Sequence, residues 1–568
     1  MKLSSKIFTF VFSIFFSSNI FAQTKIPDTA TFWSDYPAED LANFLVNKMT
    51  DEELLAQIFM FGWAGKEPSG LLNQWVSNRG LGSVKVFGWN TDDTMQVARS
   101  ISSLQKKAQQ RHLQIPLFVA TDQEGGWIRH VKGETTVTPG NMAIGASQLP
   151  MDAYYSAYYI SKEIKALGIN LNFAPTIDLY TDHQSTVIGS RSFGESPESV
   201  SLLSEYFVAG SIAAGVIPTA KHFPGHGDTS RDSHISVPVI NIDLETLENR
   251  ELIPFKALIA QNVPAIMSGH LCFPQILPNG EPASLSKFLL TDLLRKKLGY
   301  KGLIITDDTM MNGATTFAGS LSNTFKLAIE AGNDIILSSS TAALNEPLWT
   351  VNLNLMSTDA EFRKTVQTAA RRVILYKLYY FKNKNPTPAP LYPDTSKLSE
   401  LIPDKDGQKF FLSQACRSIT AYKKGDFPYQ TNTADRILLA GPKQYPEFFD
   451  EGTKKYGADC GTYRFNANEF VDSADWVGQE LASRAKNYDT IIICVSDKSA
   501  AIIARHLKNS GKKVIVLSAL SPVHVLDFNW ADTILFGYSY SPFSFKALFA
   551  ALSGDFTPEG TVPLDLKK

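Results

Sequence analysis

The sequence predicts an α/β chain in two parts: a parallel, (β/α)8-type barrel over roughly 32–380 and a second α/β domain from 403 to 568. Three observations predict it. The chain has 568 residues, too many for one ordinary core. Short apolar runs alternate with amphipathic stretches, the pattern of βα units and a parallel sheet. A stretch holding Pro386, Pro388, Pro390 and Pro393 separates this repeat from a second one. On pattern alone a doubly wound sheet is the alternative to the barrel.

The elements follow in order. Lys2 and Lys6 precede an apolar run, Ile7 to Phe16, too short to span a bilayer. Ser17, Ser18 and Asn19 break the run, and Ala22 offers a small residue for cleavage, so 1–22 reads as a signal peptide. The mature chain is expected across the inner membrane, periplasmic or extracellular, with no stable membrane insertion after cleavage. No Cys follows the cut, so a lipid anchor there is not supported. Thr50 with Glu53 makes a capping-box pattern before Leu54, Leu55, Ile58 and Phe59.

Seven strand-like runs come next: 84–87, 117–120, 169–173, 216–219, 265–267, 303–305 and 334–337, with an eighth candidate at 58–61. Helical stretches such as 152–167, 198–214, 244–261 and 287–298 lie between them. Residues 381–402 read as an extended linker. The second domain shows strand-like runs at 436–440, 490–495, 513–518 and 533–537 and no charged motif of catalytic type, so packing is its plainer role. The alternative is that one of its loops reaches the barrel mouth. Its four cysteines, counting Cys272 of the barrel, show no zinc spacing; Cys494 reads as a buried thiol and Cys416 as helical.

Composition excludes some functions. Hydrophobic residues at 44% and charged at 19% describe a globular chain. A net charge of −2 gives no basic excess for phosphate, so nucleic acid is not an expected partner. The oligomeric state is open.

Polar clusters follow the strand-like runs. They are Thr121-Asp122-Gln123-Glu124-Gly125-Gly126, then Asp178, Lys221-His222, Ser268-Gly269-His270 and Thr306-Asp307-Asp308. In a parallel barrel the C-terminal strand ends converge on one face, where active sites form. The densest stretch is Lys221-His222-Phe223-Pro224-Gly225-His226-Gly227-Asp228-Thr229, continuing to Asp232-Ser233-His234. Three His, two Asp and a Lys fall in fourteen residues. His222 and His226 have a zinc spacing only on a helix, which Pro224, Gly225 and Gly227 oppose. No metal or cofactor is therefore expected, and His226 is expected to bond within its own loop.

This loop resembles the signature of family 3 glycoside hydrolases, in their N-acetyl-β-glucosaminidase branch. The resemblance favours the barrel and implies a C-terminal α/β sandwich domain, to which the closing stretch Ala551 to Leu564 is similar. It implies a carbohydrate substrate. It implies Asp307 as nucleophile, His234 paired with Asp232 as general acid/base, and Asp122, Arg191, Lys221 and His222 as sugar-binding residues. Neighbours on a strand face opposite ways, so Asp308 is assigned instead to capping the next helix. A His near its ordinary pKa can both give and take a proton at neutral pH.

The resemblance departs at one edge. Bacterial cytosolic members carry an Arg eight residues after the Asp of this DQEGG run; here that position is His130, preceded by Arg129, and Trp127 replaces a basic residue. Trp127 is then a candidate to stack on a sugar face. The expected activity is retaining, exo-acting removal of terminal GlcNAc from peptidoglycan fragments or chitin-like oligosaccharides. The alternatives are a β-glucosidase or β-xylosidase, a GlcNAc phosphorylase of the same fold, and a non-catalytic glycan-binding protein.

Overall fold

Near-continuous apolar runs make strands that are buried on both faces, which is the condition of a parallel sheet covered by helices. In the computed structural model, which describes residues 26–185, 187–229, 238–431, 435–457, 459–467 and 473–566, eight such strands form the first part. They are β1 (Phe59–Phe61), β2 (Ser83–Lys85), β3 (Phe118–Thr121), β4 (Leu171–Asn172), β5 (Ile217–Phe223), β6 (Ala265–Ser268), β7 (Leu303–Thr306) and β8 (Ile336–Ser338). All their pairings are parallel, and β8 lies beside β1. A parallel bridge from Ile305 to Ile335 brings β7 against β8 and closes the barrel. The expected leader lies outside the described residues, as do Asp232 and His234.

Local signals do what their chemistry requires. Thr50 and Glu53 form the reciprocal capping box that opens the helix Asp51–Gln57. The register between β5 and β6 slips between Ala220 and Phe223, so Lys221 and His222 sit in a bulge. A bulge sets two residues against one and re-aims side chains, which lets both neighbours serve the mouth. The Lys221–His222 and Phe223–Pro224 peptide bonds are cis.

The second sheet contains β9 (Thr420–Lys423), β10 (Ile437–Pro442), β11 (Gly461–Phe465), β12 (Thr490–Val495), β13 (Lys513–Ser518) and β14 (Thr533–Phe536). Its order is β9-β14-β13-β12-β10-β11, with only β9 antiparallel. The strand period of two divides its side chains between two cores. Leu438, Ile491, Ile493, Val514 and Val516 enter one, and Leu439, Ile492, Cys494, Ile515 and Leu517 the other. Each such buried aliphatic side chain stabilises the fold by about 1.5–3 kcal/mol. The first core also takes Met142, Ala143, Ala146 and Tyr180 from the barrel, so the domains share apolar packing.

The stretch read as an extended linker is not a free tether. Ala389, Leu398 and Ile402 are buried, Ala389 N donates to Tyr380 Oη at 2.7 Å, and a short helix occupies Leu398–Leu401. All four cysteines are free thiols; Cys494 is buried in β12 and Cys416 lies in the helix Lys405–Ser418. Among the described residues no helix is long and apolar enough to cross a membrane.

Candidate active site

Five strand ends supply charge to one mouth. Asp122, just beyond β3, receives Lys221 Nζ on Oδ1 at 2.6 Å, and Lys85 Nζ lies 2.6 Å from Oδ2. Lys221 Nζ also reaches Glu124 Oε1 at 2.7 Å. Glu124 holds Arg191 through both oxygens, at 2.9 Å to Nε and 2.7 Å to Nη2. The planar guanidinium fork suits this bidentate geometry, which fixes orientation as well as charge.

Burial alone would raise both carboxyls, but the cations outweigh it. Lys221, Lys85 and His130 hold Asp122 well below the usual carboxylate range, and Arg191 with Lys221 holds Glu124 at about 2. Lys221 is correspondingly raised: burial works against its charge, and Asp122 and Glu124 more than offset it.

Asp178, beyond β4, organises the other half. Its Oδ2 lies 2.7 Å from His222 Nδ1, and its Oδ1 accepts from the backbone N–H of His222 at 3.0 Å and of His226 at 2.7 Å. One carboxylate therefore orients the imidazole and ties down the loop that follows. The ring of His226 departs from expectation. Both its nitrogens are buried with no hydrogen-bond partner among the described residues, and burial, with the neighbouring His222, lowers its pKa to about 4.

Asp307 directly follows β7 and is half-buried at the mouth. Burial would raise its pKa, yet His222, His270 and the backbone N–H of Asp308 hold it at about 2, so it is ionised at neutral pH. Its Oδ1 accepts from Asp308 N at 2.8 Å. Asp308 turns elsewhere, as strand parity requires. It does not cap the next helix, however. That helix starts at Asn312 after Met311 with no side-chain cap, while Asp308 Oδ1 accepts from Met310 N at 3.0 Å and Ser339 N at 2.9 Å. Asp308 thus ties β7 to the segment after β8. His270 bonds Ser284 Oγ at 2.6 Å and Asp308 O at 3.0 Å, and burial lowers its pKa.

At the edge where the sequence departs, His130 and not Arg129 stands beside Asp122, with Nδ1 3.5 Å from Oδ2. Arg129 donates instead to Thr135 O at 2.7 Å. Trp127 is 38% exposed in the turn between Gln123–Gly125 and Ile128–Arg129, which fits a surface contact better than a core role. The mouth brings together Asp122, Arg191, Lys221, His222 and Asp307; Asp232 and His234 fall outside the described residues. Lys85, Glu124 and Asp178 were not assigned from sequence. A lysine within the apolar run 84–87, and acidic residues right after two strand-like runs, were the signals available.

This geometry has relatives. Residues 49–375 match the N-terminal domain of glycosyl hydrolase family 3. The chain belongs to that family. The family 3 chain is 35% identical over 317 residues to β-hexosaminidase A of Pseudoalteromonas piscicida, covering 51% of this chain and 53% of that protein. It is 35% identical over 266 residues to a β-hexosaminidase of Tolumonas auensis, covering 46% of this chain and 77% of that protein. A solved family 3 β-N-acetylglucosaminidase from Paenibacillus sp. superposes with a TM-score of 0.81 at 27% identity, over 91% of this chain and 99% of that one.

Proposed function

We propose that this family 3 chain is a retaining, exo-acting β-N-acetylglucosaminidase that removes terminal GlcNAc from peptidoglycan fragments or chitin-like oligosaccharides. The observation that carries the reading is Asp307: an ionised carboxylate at the end of β7, facing His222 and His270 in a mouth lined by paired charges. The names of the relatives point the same way. In this reading Asp307 attacks the anomeric carbon and forms a glycosyl ester, which water then hydrolyses. Asp122, Arg191, Lys221 and His222 hold the sugar hydroxyls. His234, oriented by Asp232, protonates the leaving oxygen and then deprotonates the water.

The test is a screen of aryl β-GlcNAc, β-glucoside and β-xyloside substrates with and without phosphate. The GlcNAc substrate should give by far the highest kcat/KM, with no dependence on phosphate. A glucoside cleaved as well or better, or a sugar phosphate as product, would replace this reading by one of its alternatives. We further propose, from the leader-like stretch 1–22, that the enzyme is exported across the inner membrane; N-terminal sequencing of the exported protein should then begin at Gln23.

A further inference from the structure

We propose that the closing segment of the second domain, Thr561–Asp565, is a working part of the sugar site and positions Arg191 from outside the barrel. The inference rests on the reading that Arg191 holds the sugar.

The loop that follows Arg191 runs through Ser192, Phe193, Gly194 and Glu195. On its inner side the barrel holds it: Asn141 Nδ2 donates to Arg191 O at 2.7 Å, Ser192 Oγ to Asp178 O at 2.6 Å, and Tyr180 N to Gly194 O at 3.0 Å. On its outer side the contacts come from the second domain. Glu195 N donates to Pro563 O at 3.2 Å, and Asp565 N donates to Glu195 Oε1 at 2.8 Å. Glu195 Oε2 lies 3.0 Å from His183 Nε2, so both oxygens of this carboxylate are engaged. Thr561 N, donating to Ala146 O at 2.9 Å, anchors the start of the segment, and Leu564 is buried in the core the two domains share.

Two glycines show how close this approach is. Gly194 has φ +151°, and a Cβ there would lie 2.5 Å from Pro563 O. A Cβ on Gly145 would run into Phe193 O and lie 3.2 Å from Pro563 Cβ. At Gly194 and Pro563 the two segments approach almost backbone to backbone, and beside them the Glu195 carboxylate holds Asp565 N, so little is left to absorb a shift. A displacement of the segment therefore passes to Gly194 and Glu195, and from them to Arg191 a few residues upstream. Arg191 makes its paired bonds to Glu124 at 2.9 and 2.7 Å, and such a fork tolerates little movement.

The experiment is a double-mutant cycle on the full chain, reading kcat/KM with aryl β-GlcNAc. Glu195→Ala should lower it about tenfold, chiefly through KM, with the melting temperature little changed, because a misplacement of order 1 Å far from the reacting atoms is enough. Glu195→Gln keeps an acceptor for Asp565 N and should restore most of the loss. Gly194→Ala disturbs Pro563 without touching His183 and should reproduce the defect. In an Arg191→Ala background neither change should cost anything further, since coupled residues are not additive. Losses that multiply with Arg191→Ala, or no loss from both Glu195→Ala and Gly194→Ala, would overturn the inference and leave the reading of Arg191 standing. An Arg191→Ala variant with unchanged kcat/KM would defeat that reading, and the inference with it.

Discussion

The barrel holds a buried ionic cluster at each end, and the two are finished differently. At the N-terminal end of β8, Asp334 meets Arg372 through Oδ1 and Arg295 through Oδ2, and Oδ2 also accepts from Ile304 N at 2.8 Å. Every oxygen there is engaged. At the mouth, Asp122 Oδ2 has Lys85 at 2.6 Å and His130 at 3.5 Å, yet it makes no well-aligned hydrogen bond among the described residues. A saturated cluster can only hold the fold. A cluster whose acceptors are charged but not fully aligned retains capacity for the hydroxyls of a ligand, and it is at this end that the proposed sugar site lies.

The sharpest way to break this contrast is Asp307→Asn at the mouth. Activity on aryl β-GlcNAc should fall by more than about 10⁴-fold, as expected for a group that forms the covalent bond. Its melting temperature should barely move. The mirror experiment is Asp334→Asn at the other end. Breaking a buried pair leaves charge uncompensated and should cost about 3–5 kcal/mol in urea unfolding, with kcat/KM per folded molecule retained. A stable Asp334→Asn variant with poor activity would reverse the assignment of the two ends.

A smaller effect is expected at Arg191. Lys keeps the charge and loses the fork, so Arg191→Lys should lower kcat/KM roughly 100-fold. The smallest concerns Glu251, buried against Gly225 of the loop that follows β5 and paired with Arg250 Nε at 2.6 Å. Burial outweighs Arg250 and lifts Glu251 from the ordinary 4.5 to about 7. A carboxyl raised on folding favours the fold while neutral. Its contribution is complete below pH 4.5 and is lost as pH rises through about 7. Glu251→Gln should therefore unfold with a flatter dependence on pH across that window than the parent; a parallel dependence in both proteins would show that Glu251 does not set it.

The barrel was legible because each of its eight strands lies in or beside a short apolar run, and a polar cluster follows most of them. The doubly wound alternative fell only to the closure at Ile305–Ile335. Strands β9 and β11 were missed because they lie at the sheet's edges, where Tyr422 and Arg464 face solvent and dilute the pattern. In the site, Asp307, Lys221 and His222 stood at strand ends and could be named. Asp178 and Glu124 could not be given roles, since their partners His222 and Arg191 lie 44 and 67 residues away in sequence. Such pairings follow from closure of the barrel and leave no local spacing. The cap assigned to Asp308 failed for a similar reason: its partner Ser339 lies beyond the next strand.

The most direct test is covalent. His234→Ala should slow deglycosylation while a dinitrophenyl leaving group still departs unaided, so the glycosyl-enzyme should accumulate and azide should speed turnover. Mass spectrometry of that variant, quenched during turnover of dinitrophenyl β-GlcNAc, should find one GlcNAc on the peptide containing Asp307. An adduct on another peptide, or equal losses on activated and unactivated substrates with no adduct and no azide rescue, would contradict Asp307 as the nucleophile.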